Sequence, residues 1–224
     1  EAEDFLKKVP AEQPFMATSC CPSWSVMAKK LFPQFKEYIS MAMTPMALTA
    51  RLYKKDHPDV RIVFIGPCTA KKLEASRRTV RSDVDFVLTF EEMQGIFDAK
   101  GIVPAEMPVD PEEEFGTGTA LGRGFAVTGG VKEAIAELDP DREVKIEHAD
   151  GLRECRKMLM MAKAGKYNGY LLEGMGCPGG CVAGAGTITP VKKSTAAVGK
   201  YVAGAKVRTI QDSAAVKRLR EVQD

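Results

Sequence analysis

Thiols are the side chains whose number and spacing point most directly to chemistry. Six cysteines occur, at Cys20, Cys21, Cys68, Cys155, Cys177 and Cys181. Six are too few for a disulfide scaffold in a chain of 224 residues, so metal or redox chemistry is the expected use. A structural zinc site would show a Cys-x2-Cys knuckle, and none exists. Adjacent Cys20 and Cys21 cannot both readily bind one small ion, so at least one of them has another task. Pro22, Pro67 and Pro178 stand beside the cysteines and stiffen their loops. Gly176, Gly179 and Gly180 let backbone come close to a bulky group and leave amide N–H groups to point at sulfur. Those are the needs of an iron–sulfur cluster, and packing or redox cysteines are the competing reading. Cys155 is different: it shares a helical face with Leu152, Leu159 and Ala162 and is expected in the core.

For distant cysteines to cooperate, the fold must bring their loops together. Pro14–Ser19 reads as a short strand running into Cys20 and Cys21. Val60–Ile65 is a nearly continuous apolar run, expected as a strand buried on both faces, and it ends at Gly66-Pro67-Cys68. Gly169–Leu172 is a third short strand, leading into Glu173-Gly174-Met175-Gly176-Cys177. Ligands in open α/β sheets bind at the carboxyl ends of strands, so these three loops are expected to converge. Between them lie helical patterns. One runs from Ser23 to Tyr38 with a break at Pro33, and one is capped by Thr44 with Pro45 and runs to Asp56. A strand at Val84–Leu88 precedes a helix capped by Thr89 and stopped by Gly101. A helix near Gly130–Leu138, a strand near Val144–His148 and a helix from Gly151 to Ala164 follow an irregular Ile102–Thr128. The last 35 residues suggest a basic helical tail. The fold class is therefore α/β, a mostly parallel sheet flanked by helices with cofactor loops at the strand ends.

Composition narrows the function classes. Hydrophobic residues make up 45% and charged residues 28%, as in ordinary globular chains. Lys plus Arg number 32 against 30 Asp plus Glu, a balance that gives no electrostatic case for nucleic acid. No apolar run approaches the roughly 20 residues of a membrane span, and the first residues lack a signal peptide's pattern. The expected location is cytoplasmic.

Three segments carry a resemblance. Thr18-Ser19-Cys20-Cys21-Pro22-Ser23-Trp24, Gly66-Pro67-Cys68-Thr69-Ala70-Lys71-Lys72-Leu73-Glu74 and Glu173-Gly174-Met175-Gly176-Cys177-Pro178-Gly179-Gly180-Cys181 occur in this order. They resemble the three signatures of the iron-only (FeFe) hydrogenases, and the similarity runs from Glu1 to at least Pro190. The resemblance implies an H-cluster: a 4Fe–4S cluster joined through a cysteine sulfur to a di-iron centre with CO, CN and a dithiolate bridge. Cys21, Cys68, Cys177 and Cys181 would hold the 4Fe–4S cluster, with Cys181 bridging to the di-iron unit. Cys20 would pass protons, Lys71 would bond a cyanide, and Met175 would pack against the di-iron unit. Glu1, Ser40 and Asp4 match the rest of the family's proton relay, as inner acid, hydroxyl and outer acid. The implied activity is interconversion of protons plus electrons with H2. A low-turnover hydrogen sensor, or a protein holding only a 4Fe–4S cluster, is the alternative. Gly66 stands where many members carry Met, Ala185 interrupts a glycine triplet, and Thr187–Pro190 replaces a Gln-Pro, suggesting a shorter, divergent branch.

The resemblance also implies partners: ferredoxin or another electron carrier, maturation proteins that install the di-iron unit, and an upstream segment or separate chain completing the domain. Residues 1–224 are expected as one H-cluster domain lacking its N-terminal part and any ferredoxin-like domain. Other motifs are weak. Gly116, Gly118, Gly122 and Gly124 do not follow a strand and lack a Gly-Lys-Ser/Thr ending, so nucleotide binding is set aside. His57 and His148 have no ligand companions, and basic pairs such as Lys29-Lys30 and Arg77-Arg78 read as solvated faces.

Overall fold

In the computed structural model, residues 1–108, 118–137, 144–211 and 213 are described. The expectations for residues 109–117 of the irregular segment, including Gly116, for Leu138, and for the end of the basic tail (212 and 214–224) lie outside them.

Strands and helices alternate as α1 (Ala2–Lys8), β1 (Phe15–Ala17), α2 (Pro22–Leu31), α3 (Pro45–Asp56), β2 (Val63–Gly66), α4 (Ala70–Ala75) and β3 (Phe86–Thr89). The order continues with α5 (Phe90–Lys100), α6 (Ala120–Gly124), α7 (Gly130–Ala136), β4 (Ile146–Asp150), α8 (Leu152–Lys163), β5 (Tyr170–Met175) and α9 (Val191–Ala203). Local chemistry sets many of these boundaries. Pro33 ends α2 and starts a 3-10 segment, Pro33–Tyr38, because a proline inside the helix would cost a hydrogen bond. Thr44 caps α3 by accepting from Ala47 N, and Thr89 forms a reciprocal capping box with Glu92. Gly101 stops α5 at φ 65°, in the left-handed region.

Among the described residues all strand pairs are parallel, but they belong to two sheets, of order β1-β5-β4 and β2-β3. Central β5 is buried from Leu171 to Met175, with Leu171, Leu172 and Glu173 fully enclosed, and its neighbour β1 is buried throughout. Alternation along the strands sorts the side chains onto two faces. Phe15, Ala17 and Leu172 join Trp24 and Ala28 of α2 and Cys155, Met158, Leu159 and Ala162 of α8. Met16 and Leu171 join Ala2 and Phe5 of α1 and Val131 and Ile135 of α7. Each such fully buried large side chain contributes about 1.5–3 kcal/mol.

Two expectations are corrected here. The apolar run at Val60–Ile65 is not a strand buried on both faces: Val63 and Ile65 are 46% and 44% exposed, and cross-strand Phe86 is 61% exposed. Only Ile62, Phe64 and Val87 turn inward, against Met46, Ala47 and Ala50 of α3. Apolar character alone does not say how many helix layers cover a strand. Leu152 does not share the buried face of Cys155 either; it is exposed at the start of α8, and the buried face is made by Cys155, Met158, Leu159 and Ala162. Cys155 is fully buried, donating weakly to Ala149 O (3.4 Å) and Met175 O (3.3 Å). His57 and His148 are exposed.

Candidate cysteine site at the converging strand ends

The three cysteine loops meet although they leave different sheets. Cys20 and Cys21 follow β1, Cys177 and Cys181 follow β5, and Cys68 follows β2. Specific contacts hold the loops together. Gly176 N donates to Cys21 Sγ at 3.3 Å, and Gly186 N donates to Pro67 O at 2.9 Å. A methyl at Gly184 would come within 2.4 Å of Pro67 O, so glycine there lets the Cys181 loop lie directly on the Cys68 loop. Trp24 packs directly on Gly174, and its Nε1 donates to Thr18 O at 3.0 Å.

The loops enclose a cavity of about 240 Å³ whose wall carries Cys20, Cys21, Cys68, Cys181, Lys71 and Met175. Cys177 lies outside this lining, but it interacts electrostatically with Cys68, Cys21 and Cys181. Among the described residues, no three His, Cys, Asp or Glu side chains close tightly enough to share one metal ion. The spread of the thiols suits a polynuclear cluster better than a single zinc.

Electrostatics point the same way. Burial, then the neighbouring Cys21, Cys68 and Cys177, push the Cys181 thiol up to about 11. Burial followed by Cys68 and Cys21 also raises Cys177. Burial and the neighbouring thiols disfavour the thiolate at Cys181 and Cys177, a cost that a cationic metal would offset, so the donor set fits an iron–sulfur group. Cys20 is raised strongly, first by burial and then by Glu1 and Cys21. Lys71 is buried, with Nζ 2.7 Å from Glu74 Oε2 and 3.5 Å from Cys20 O.

The four relay candidates separate into a connected group and an outlier. Glu1 accepts from Ser19 N at 3.1 Å, and its carboxyl is raised by burial while hydrogen bonds with Ser40 and Ser19 oppose that shift. Cys20, in the cavity wall, thus has Glu1 as a neighbour, and Glu1 in turn has Ser40. Asp4, in α1, is half-exposed and ion-paired with Lys8 at 3.0 Å. Two buried acids escape a reading of the sequence. Glu173, fully buried in β5, accepts from Gly129 N and Lys132 N, both at 3.1 Å, and so holds the start of α7. Burial raises its carboxyl, and those bonds oppose the rise. Its signal is an acid inside the apolar run Leu171–Met175. Glu74 has a helical signal, three residues after Lys71. Gly118, Gly122 and Gly124, set aside above as a phosphate cradle, serve α6 instead, where Thr119 caps Gly122 N.

Comparison with known proteins agrees with this architecture. The family model described as iron only hydrogenase large subunit, C-terminal domain, matches residues 1–185. The periplasmic Fe hydrogenase large subunit of Nitratidesulfovibrio vulgaris is 30% identical over 212 residues, covering 75% of this chain and 50% of that protein. Iron hydrogenase 1 of Clostridium pasteurianum is 28% identical over 232 residues, covering 83% and 40%. A probable cytosolic Fe-S cluster assembly factor of Aedes aegypti is 29% identical over 228 residues, covering 79% and 48%. The chain spans half or less of the length of these relatives. A solved apo FeFe-hydrogenase variant from Chlamydomonas reinhardtii superposes with a TM-score of 0.74 at 22% identity, over 98% of this chain and 75% of that one. That likeness shows the fold. Among the described residues, no helix is long and apolar enough to cross a membrane. With the family model spanning the three cysteine loops, the chain belongs to the family formed by the C-terminal domains of iron-only hydrogenase large subunits.

Proposed function

We propose that this chain is the cofactor-holding part of an oxidoreductase that interconverts protons plus electrons with H2. The convergence of three cysteine loops on one cavity, with Lys71 and Met175 in its wall, carries this reading. Cys21, Cys68, Cys177 and Cys181 are the residues that would hold a 4Fe–4S cluster, and Cys181 would bridge it to a di-iron unit with CO, CN and dithiolate ligands. When bound, that group supplies the electron transfer and hydrogen chemistry.

The chain's own residues do the rest. The Gly176 N–H placed on Cys21 Sγ compensates negative charge on sulfur. The Lys71 ammonium supplies a compact donor at the cavity wall, with Glu74 fixing its position. Met175 and Phe64 make part of the wall apolar and limit water. Cys20, burdened by burial and by Glu1, holds its proton at Sγ. Glu1, bonded with Ser19 and Ser40, is placed to exchange that proton toward Ser40, and Asp4 would serve as the outer acid. Electrons would come from ferredoxin or a similar carrier, and maturation proteins would install the di-iron unit. The six unbridged cysteines suit a reducing compartment such as the cytoplasm.

A second reading rests on the similarity to proteins named as Fe-S cluster assembly factors: a 4Fe–4S protein without hydrogen turnover. Reconstitution with iron, sulfide and a synthetic di-iron precursor separates the two. The first reading expects CO and CN infrared bands together with H2 turnover. A cluster signal without those bands establishes the second, and bands without turnover establish a sensor. Cys20→Ala should remove most turnover and leave the bands. Cys155→Ala should leave iron content unchanged, whereas Cys21→Ser should reduce it.

A further inference from the structure

A second cavity, of about 300 Å³, shares Pro22 with the cysteine cavity and has Ser19 and Ser40 in its wall. Three cationic side chains from separate parts of the chain reach its wall: Lys29 of α2, Arg51 of α3, and Arg77 just beyond α4. Arg51 is neutralised, with Nη2 2.7 Å from Asp83 Oδ2 and 2.8 Å from Thr79 O. Lys29 and Arg77 are half-buried, and neither forms an ion pair with a carboxylate among the described residues.

The two unpaired cations influence each other. Burial, then Arg77 and Lys36, push the Lys29 ammonium down, while Glu37 opposes that shift. Glu74 also reaches the wall, but its carboxylate is held by Lys71 at 2.7 Å. Converging like charges in a concave, partly desolvated site raise the energy of the empty cavity and favour an anion. A guanidinium and an ammonium together supply several charge-assisted donors, the pattern that suits a tetrahedral oxyanion. Among the described residues no aromatic ring lines the cavity, so these walls offer a nucleobase no stacking surface.

We infer that this cavity is a binding site for a small oxyanion of phosphate type, held between Lys29 and Arg77. The assignment does not depend on the hydrogenase reading. It also places the anion beside Ser40, whose hydroxyl bonds with Glu1, so occupancy would be felt at the edge of the cysteine site.

The test uses the full chain and follows thermal unfolding and 31P NMR while inorganic phosphate is titrated at constant ionic strength. A saturable rise in Tm and saturable broadening of the phosphate signal are expected, with no comparable response to chloride or acetate. Glycerol phosphate forms a second arm: tighter binding than inorganic phosphate assigns the site to a phosphoryl group on a larger molecule, and weaker binding assigns it to the free ion. Lys29→Met and Arg77→Met should each weaken phosphate binding roughly tenfold or more. Without phosphate, both variants should melt at or above the wild-type temperature, because each removes a like-charge repulsion. Lys29→Arg should retain the response, and exposed Lys30→Ala should not alter it. A purely structural role for the two cations predicts the reverse, lower stability in the absence of phosphate. That result, an absent or unsaturable phosphate response, or an equal response to chloride, overturns the assignment.

Discussion

Replacing Gly184 by alanine tests whether direct backbone contact between two loops builds the cysteine site. Gly184 has φ −61° and ψ 153°, a conformation open to any residue, so the substitution introduces no backbone strain of its own. The added methyl, however, would stand 2.4 Å from Pro67 O and 2.9 Å from Pro67 C. An ordinary contact of this kind is about 3.3 Å or more, so the loops must separate by roughly 1 Å. Both partners are backbone, and no rotamer change relieves the clash. Overpacking costs about 1–3 kcal/mol. The adjoining bond from Gly186 N to Pro67 O, 2.9 Å long, lies in the same contact and contributes about 1 kcal/mol more if broken. The sum is about 2–4 kcal/mol, a fall in Tm of roughly 4–16 °C for a chain of this size.

The matched control is Gly95→Ala, inside α5, where a methyl would meet nothing within 4 Å. Alanine is the better helix former there and should stabilise by about 0.5–1 kcal/mol. Circular dichroism melts of the full chain, with iron and sulfide content after reconstitution, read both effects. Gly184→Ala should melt early and bind less iron, because Cys181 withdraws from Cys68. A variant that melted with the wild type and bound as much iron would refute the contact as the device that assembles the site.

Two further outcomes follow from buried or shared charge. Lys71→Met leaves the Glu74 carboxylate, with a side chain only 4% exposed, without its ammonium. A loss of about 3–5 kcal/mol is expected in urea denaturation, and adding Glu74→Gln should restore most of it; equal stability of single and double variants would contradict the pairing. Asp85 is held well below the ordinary carboxylate range by Lys54, then by Ile62 N–H and Arg61. A depressed folded pKa gives stability that is present above the unfolded value of about 4 and lost as pH falls through the folded value. Wild-type Tm should therefore fall more steeply below pH 4 than that of Asp85→Asn, and parallel Tm–pH curves would remove Asp85 from the account.

Local signals carry much of the fold. The Pro33 break, the Thr44 and Thr89 caps and the Gly101 stop are decided by neighbouring residues, so they are readable in the chain. Cys155 is recognisable as core because Leu159 and Ala162 repeat on its helical face. The cysteine loops are readable for a related reason. Each follows an apolar strand, and parallel β1 and β5 of one sheet deliver their carboxyl ends, with Cys20, Cys21, Cys177 and Cys181, to the same side.

Strand pairing is different, because it depends on contacts remote in sequence. Nothing local says that β2 and β3 form their own sheet, or that Val63, Ile65 and Phe86 remain exposed on it. Glu173 likewise acquires its role only when Gly129 and Lys132, more than forty residues away, present their N–H groups to it.

The residue types and their order are enough, on this sequence alone, to specify a parallel α/β chain with thiol loops after three strands. Only the tertiary structure decides that loops from two separate sheets share one cavity, that Glu1 and Ser40 meet beside Cys20, and that Lys29 and Arg77 line one cavity with no ion pair to a carboxylate among the described residues. The physical reason is range. Caps, turns and periodicity are settled within a few residues, whereas burial, ion pairing and thiol proximity are settled by whichever distant surfaces the packed core brings together.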